Sequence, residues 1–209
     1  VGVSSALLVF VAIVAPDVMC PDRRQRVLPL MFARPLTGAD YVAAKVGAIA
    51  SVLFAFSFLP QVVLFVGNML VSNSASSYVT GHLDILWKVP AAVLALAVYY
   101  AVIGIAISSL TERRIVAGAA VIGVFLVTSI SSGLIVGEDF ARQGGSPAAV
   151  INILGLPLYL RDLIFLGQIQ SGSPLAGVEL GGLLAVGTYV AVLALSAGVL
   201  LYRYRWVER

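Results

Sequence analysis

The sequence predicts an all-α polytopic membrane protein, a helical bundle with five visible spans. Three observations predict it. Of 209 residues, 60% are hydrophobic and only 11% charged, and mean hydropathy is +1.03. A soluble domain carries about 25% charged residues, and a water-soluble fold of this size could not cover so much apolar surface. Runs 42–67, 89–110, 115–136 and 181–202 each match the roughly 20 mostly apolar residues that cross hydrocarbon as a helix, and a fifth run, 1–16, is uncharged but shorter. The runs are continuous rather than alternating at every second residue, which favours helices over barrel strands.

Run 1–16 opens on Val1, without a Met. We expect a truncated start rather than a signal peptide, because no basic leader region or small-residue cleavage site is visible. Pro16, Asp17 and Pro21–Asp22 are expected to end this helix, since proline lacks the donor N–H and clashes with the preceding turn. Segment 17–41 then reads "CPDRRQRVLPLMFARPLTGADY" from Cys20 onward. Arg23, Arg24 and Arg26 sit where anchors beside lipid phosphates belong, and they could equally pair with acids on a partner. Val27, Leu28, Leu30, Met31 and Phe32 are too apolar for an ordinary loop. With Arg34 on the rim, they predict a short helix that suits a groove in a partner protein or lies on lipid. Thr37 and Asp40 have capping-box spacing and mark the start of the next helix. Lys45, two turns in, is expected to snorkel back to the phosphates.

Span 42–67 contains Pro60 and Gln61. A kink is expected there, and a bond from Gln61 to a neighbouring helix is expected ahead of the alternative, a pore-lining glutamine. The polar connection 68–88 includes "SNSASSY", His82 as a solvated loop residue, and Asp84. Span 89–110 carries Tyr99 and Tyr100, which with Trp87, Tyr202, Tyr204 and Trp206 fit interfacial belts. "TERR" at 111–114 is so short that spans 89–110 and 115–136 must be antiparallel neighbours. Connection 137–180 is long and mixed. Its stretch 146–168 is too short to span, is punctuated by Pro147 and Pro157, and is interrupted by Arg161–Asp162. It predicts one or two short helices lying in, or dipping into, the outer interface. The spacings Gly133-x-x-x-Gly137 and Gly177-x-x-x-Gly181 permit close helix contact, but in a chain with 20 glycines they are expected by chance. Span 181–202 ends in the basic tail "RYRWVER".

Charge sets the sidedness. One side collects Arg23, Arg24, Arg26, Arg34, Lys45, Arg113, Arg114, Arg203, Arg205 and Arg209; the other keeps Lys88, Arg142 and Arg161. Under the positive-inside rule, 17–41, 111–114 and 203–209 are cytoplasmic and the protein is multi-pass in the plasma membrane. The net charge of +3 is accounted for by these anchors. No aromatic-plus-basic stretch of the nucleic-acid-binding kind is present, so no nucleic-acid partner is expected.

The chemistry-bearing residues exclude more than they offer. Cys20 is the single cysteine and His82 the single histidine, so neither a disulfide, a cysteine zinc cluster nor a histidine pair can form within the chain. There is no phosphate-binding glycine loop and no H-E-x-x-H. The four full spans have no acid in their middles, where a proton-coupled carrier needs an ionisable group. No internal repeat supports an inverted-repeat transporter. No catalytic, cofactor-binding or metal-binding residue is assigned, the chain is not expected to be an enzyme, and any transport would draw energy from another polypeptide.

The stretch "APDVMCPDRRQRVLPLMFARPLTGADYVAAK" resembles the link between the second and third spans of permeases of the type-2 ABC exporter family. Asp22, Arg23 and Arg24 match the family's D-R-R pattern; Arg34, Pro35 and Leu36 match its R-P-L; Asp40, Tyr41 and Lys45 match the close of its motif. The ending "LYRYRWVER" is similar to the family's basic finish. The hydropathy layout fits along nearly the whole chain, whereas the specific motif covers about thirty residues. The resemblance implies six spans per subunit, a permease dimer, and two separate ATP-binding cassette subunits that hold ATP and Mg. It also makes 17–41 the coupling segment, with Val27–Phe32 inserted in the ATPase groove among the arginines, and 146–168 the outer re-entrant helices. The missing first span departs from the pattern. The expected function is outward movement of a hydrophobic or amphiphilic substrate. The rivals are a non-transporting structural or assembly subunit of a larger membrane complex, and an intramembrane transferase, which lacks a plausible His/Asp/Glu constellation.

Overall fold

Within the described residues, each of the five apolar runs is helical. The structure, a computed structural model, describes residues 2–24, 37–72, 80–81, 83–143 and 145–205; for 2–3, 22–24, 138, 140–143 and 205 it describes the backbone alone. The long helices are α1 (Gly2–Arg24), α2 (Gly38–Val71), α3 (Leu83–Ser108), α4 (Arg114–Gln143) and, last in the chain, α6 (Gly181–Arg205). Between α4 and α6 come a 3-10 helix (Pro147–Ile151) and the short α5 (Leu156–Leu166). No strand occurs among the described residues. Among the described residues, five helices are long and apolar enough to cross a membrane, so the chain is a multi-pass membrane protein.

The helices overrun their apolar runs because helices stop at caps, not at the last apolar residue. α2 begins where Thr37 and Asp40 complete the predicted capping box: Thr37 Oγ1 accepts from Asp40 N at 3.2 Å, and Asp40 Oδ2 accepts from Thr37 N at 3.2 Å. It ends at Ser72, whose N–H reaches Asn68 O and whose hydroxyl reaches Met69 O. α2 is therefore 34 residues, about 51 Å at 1.5 Å per residue.

α1 corrects one expectation. Pro16 and Pro21 do not end it; both lie inside a helix that continues to Arg24. Pro16 has no N–H for the Ala12 carbonyl four residues back. That carbonyl faces α4 at Gly118, where an added Cβ would lie only 2.8 Å from Ala12 O. The hydrogen of Gly118 Cα can approach it there as a weak donor. In lipid, a proline inside a helix is tolerated when a neighbouring helix takes up the freed carbonyl in this way.

α3 is the hub of the bundle. It packs against α1, α2, α4, α5 and α6, and α1 lies between α3 and α4. Crossing is close because the residues there are small: Val11 and Ala15 of α1 press on Gly104 of α3. Gly133 and Gly137, by contrast, meet nothing within 4 Å, so that spacing makes no helix contact.

The segment between α4 and α6 folds into the bundle, and its connecting turn is held by two tyrosines. Tyr99 and Tyr100, expected in an interfacial belt, are instead fully buried. Their hydroxyls donate to Ile153 O at 3.1 Å and Leu154 O at 2.8 Å. Ser132 donates to Ala148 O and Ser129 to Asn152 Oδ1 from the α4 side. α3 is 26 residues, about 39 Å. Tyr100 stands about 12 Å from its C-terminal end, and its side chain leans back towards the N-terminus. The turn 152–155 therefore sits near mid-length of α3. The backbone in such a buried turn needs donors, and the tyrosines supply them. Tyr189 of α6 stacks on Tyr99 with centroids 4.9 Å apart and donates to Ala95 O at 2.9 Å, closing the cluster. Tyr204 is likewise buried against Tyr41, while Trp87 and Tyr202 stay exposed as belt residues should.

α5 is held at its C-terminal end by the left-handed Gly167, whose N–H bonds Leu163 O. Lys88 of α3 reaches the adjoining Phe165 carbonyl at 3.3 Å and pairs with Asp84 at 2.9 Å. A lysine here satisfies a last-turn carbonyl and opposes the negative end of the helix dipole.

Candidate functional site

One end of the bundle gathers the positive charge. There the last turns of α1, the first turns of α2, the 109–113 turn and the last turn of α6 converge. Asp17 of α1 forms an ion pair with Arg114 of α4. Three residues before Arg114, in the turn that precedes α4, Thr111 O accepts from the Cys20 thiol at 3.7 Å. Lys45 of α2 donates to Val18 O at 3.1 Å and lies 5.5 Å from the centre of the Tyr41 ring. Arg203 of α6 reaches Leu110 O at 3.5 Å. These contacts put the ends of α1, α2, α4 and α6 around the same turn. They also show that 17–24, 109–114 and the end of α6 share one side, as the charge count requires.

The Lys45 side chain leans back by about one turn toward the start of α2, over the Tyr41 ring, and its ammonium donates to a backbone carbonyl of α1. The acceptor neighbours Asp17 O, whose helical donor Pro21 removes, and a backbone carbonyl has a second lone pair to offer.

A groove of about 1120 Å³ opens at this end, lined by Cys20, Pro21, Glu112, Arg113, Arg114 and Ile115. It adjoins the point where the chain leaves α1 towards residues 25–36. Arg23 and Arg24 close α1 as its last two residues. Asp40 stands at the third position of α2, where Oδ2 accepts from Thr37 N and, at 2.7 Å, from Thr37 Oγ1. Its carboxyl is thereby committed to the helix start. Arg26, Val27, Leu28, Leu30, Met31, Phe32 and Arg34 lie outside the described residues, as do His82 and Trp206.

A second, lateral groove of about 440 Å³ runs between α2 and α3, lined by Phe58, Gln61, Phe65, Asn68, Leu86 and Pro90. Gln61 is exposed in this wall. Among the described residues, Gln61 makes no hydrogen bond to a neighbouring helix, in contrast to the expectation. Two amides seven residues apart thus present polar groups within a strongly apolar, half-open slot.

Sequence reasoning missed two features of these sites. The Asp17–Arg114 pair joins residues 97 apart, and no local pattern couples them. The tyrosine cluster was readable only as aromatic residues, because hydropathy does not distinguish a belt from a buried hydroxyl with a partner. Among the described residues, no group of three or more His, Cys, Asp or Glu is placed to hold a metal.

Comparison with protein-family models, curated proteins and solved structures returns no match to this chain.

Proposed function

We propose that the chain is the membrane-spanning permease subunit of an ATP-driven exporter of the type-2 ABC kind. In this reading two separate ATP-binding subunits, which hold ATP and Mg, dock on segment 17–41. A second permease copy completes the transporter. The basic end faces the cytoplasm of a plasma membrane, in a bacterium the inner membrane, and the chain carries no catalytic residue.

The observation that carries the reading is the convergence at the basic end. Segment 25–36 leaves from the end of α1 and returns through Thr37 to α2. Both flanks are tied to the rest of the bundle, α1 to α4 through Asp17–Arg114 and α2 to α1 through Lys45. A partner that closes on 25–36 therefore pushes α1 and α2 together. α1 lies between α3 and α4, so its displacement shifts those helices as rigid bodies, the kind of motion that opens a path on one side and shuts it on the other. The groove between α2 and α3, apolar with two amides, favours a hydrophobic or amphiphilic substrate, because such a molecule can leave lipid laterally and find hydrogen bonds inside.

The test is co-purification. With the tagged chain extracted in mild detergent, ATPase activity should accompany the native sequence. It should fall at least about tenfold when Leu30→Asp and Phe32→Asp are combined, since a charge in an apolar docking groove costs several kcal/mol. Membrane fractionation checks that insertion is unaffected. Equal ATPase recovery from both forms refutes the docking role.

A further inference from the structure

In the half of the bundle away from the basic end, the start of α1, the turn before α5, α5 itself and the loop leading to α6 line a half-open cavity of about 440 Å³. Its volume is that of a small-ligand site, and its wall is more polar than that of either groove described above. Asp162 lines it at 7% exposure. The Asp162 Oδ1 atom accepts from Arg161 Nε at 3.0 Å and Nη2 at 2.6 Å, while Oδ2 receives no hydrogen bond from any described residue. A buried carboxylate is costly unless its remaining lone pairs are met, and half of this one is open to the cavity. Arg161 is itself 45% exposed along its side chain, and Nη1 is unspent. The two residues thus show the cavity a negative and a positive pole side by side.

Unused donors surround these poles. Asn152 Oδ1 accepts from both Ser129 Oγ at 2.9 Å and Gly155 N at 3.0 Å. This fixes the amide and leaves Nδ2 as a donor without a described partner. Ser173 Oγ is buried and unpartnered. Burial, and behind it the Asp162 charge, pushes the Tyr159 phenol above its ordinary range, so its hydroxyl keeps its proton and can also donate. The matching ligand has one anionic group with several acceptor oxygens and one cation that can give hydrogen bonds to Oδ2. The lining is neutral on balance, and so is the ligand. A phosphate fits the fork of an arginine. A primary ammonium can satisfy Oδ2; a trimethylammonium, with no N–H, cannot. Leu154, Leu158 and Pro174 give the rest of the wall an apolar surface.

We propose that this cavity binds a phosphoethanolamine-type zwitterion, the phosphate against Arg161 and Asn152 and the ammonium against Asp162. The headgroup of an aminophospholipid and a soluble glycerophosphoethanolamine share this chemistry. The assignment does not depend on the transport reading.

The test uses the full chain in lipid nanodiscs of mixed phosphatidylethanolamine and phosphatidylcholine, with the lipid retained after detergent extraction quantified by mass spectrometry. Phosphatidylethanolamine should be enriched about tenfold over phosphatidylcholine, the value of one charge-assisted hydrogen bond lost with the methylated headgroup. Arg161→Ala, which alters a half-exposed side chain, and Asp162→Asn should each remove the enrichment. If Asp162→Asn fails to fold, Arg161→Ala decides alone. Displacement of the retained lipid by soluble glycerophosphoethanolamine identifies the headgroup as sufficient, and failure to displace identifies the lipid as the ligand; either supports the site. Equal retention of the two lipids, or enrichment that persists in Arg161→Ala, overturns it.

Discussion

At the scale of single residues, the bundle turns on places where a side chain is missing. Gly118 leaves room for the Ala12 carbonyl that Pro16 orphans, and a Cβ there would lie 2.8 Å from that oxygen. Gly118→Ala must push α1 away from α4, and overpacking of this kind costs about 1–3 kcal/mol. We expect its melting temperature in detergent to drop by about 5 °C. Gly133→Ala, with nothing within 4 Å, should leave it unchanged or raise it slightly, because alanine is the better helix former. Equal losses at the two positions would show that glycine matters here through backbone flexibility and not through contact. The Gly133 spacing, expected by chance, indeed makes no contact, whereas nothing in the sequence marked Gly118. The reason is physical: close approach depends on a carbonyl freed on another helix, which no local motif records.

At the scale of elements, the inserted 3-10 helix and α5 depend on tyrosine hydroxyls for backbone satisfaction. Tyr100→Phe leaves the Leu154 carbonyl without its donor in a buried setting, at a cost of about 1–3 kcal/mol. Hydrogen exchange of the amides at 152–156 should accelerate about tenfold or more, while amides at the centre of α3 keep their protection. An unchanged rate at 152–156 would mean that water reaches the turn and replaces the hydroxyl. Much at this scale was legible in the sequence. The five long helices followed from uncharged length, the start of α2 from Thr37 and Asp40, and the short pieces of 146–168 from Pro147, Pro157 and the charged pair between them. What was not legible were the helix ends and the partners. Pro16 and Pro21 read as terminators because a proline penalty is a local rule, whereas its remedy is tertiary. Tyr99 and Tyr100 read as belt residues because an amphipathic ring suits a membrane surface and a buried carbonyl equally well. The acceptor that Lys45 finds on α1 was not legible either, because no local pattern places Val18 O beside it.

At the scale of the whole molecule, the claim to check first is sidedness. The structure brings the Thr111–Arg114 turn and the ends of α1 and α6 together, and sets the loop before α6 at the other end. Labelling with a membrane-impermeant maleimide separates the two faces. Arg113→Cys should react only in inside-out vesicles and Ser171→Cys only in right-side-out vesicles, over a low background because the native Cys20 is buried. The reverse pattern would invert the molecule and place the basic end outside, against the usual bias of lysine and arginine.

The length of α2 carries a consequence of its own. A rod of about 51 Å cannot stand upright within a hydrocarbon slab about 30 Å thick; it leans, projects at one or both ends, or distorts the lipid around it. When the bilayer thickens or thins, that lean changes, and the movement is delivered to Thr37, where the chain comes back from 25–36. The lean of α2 is thus set by the thickness of the membrane that surrounds it.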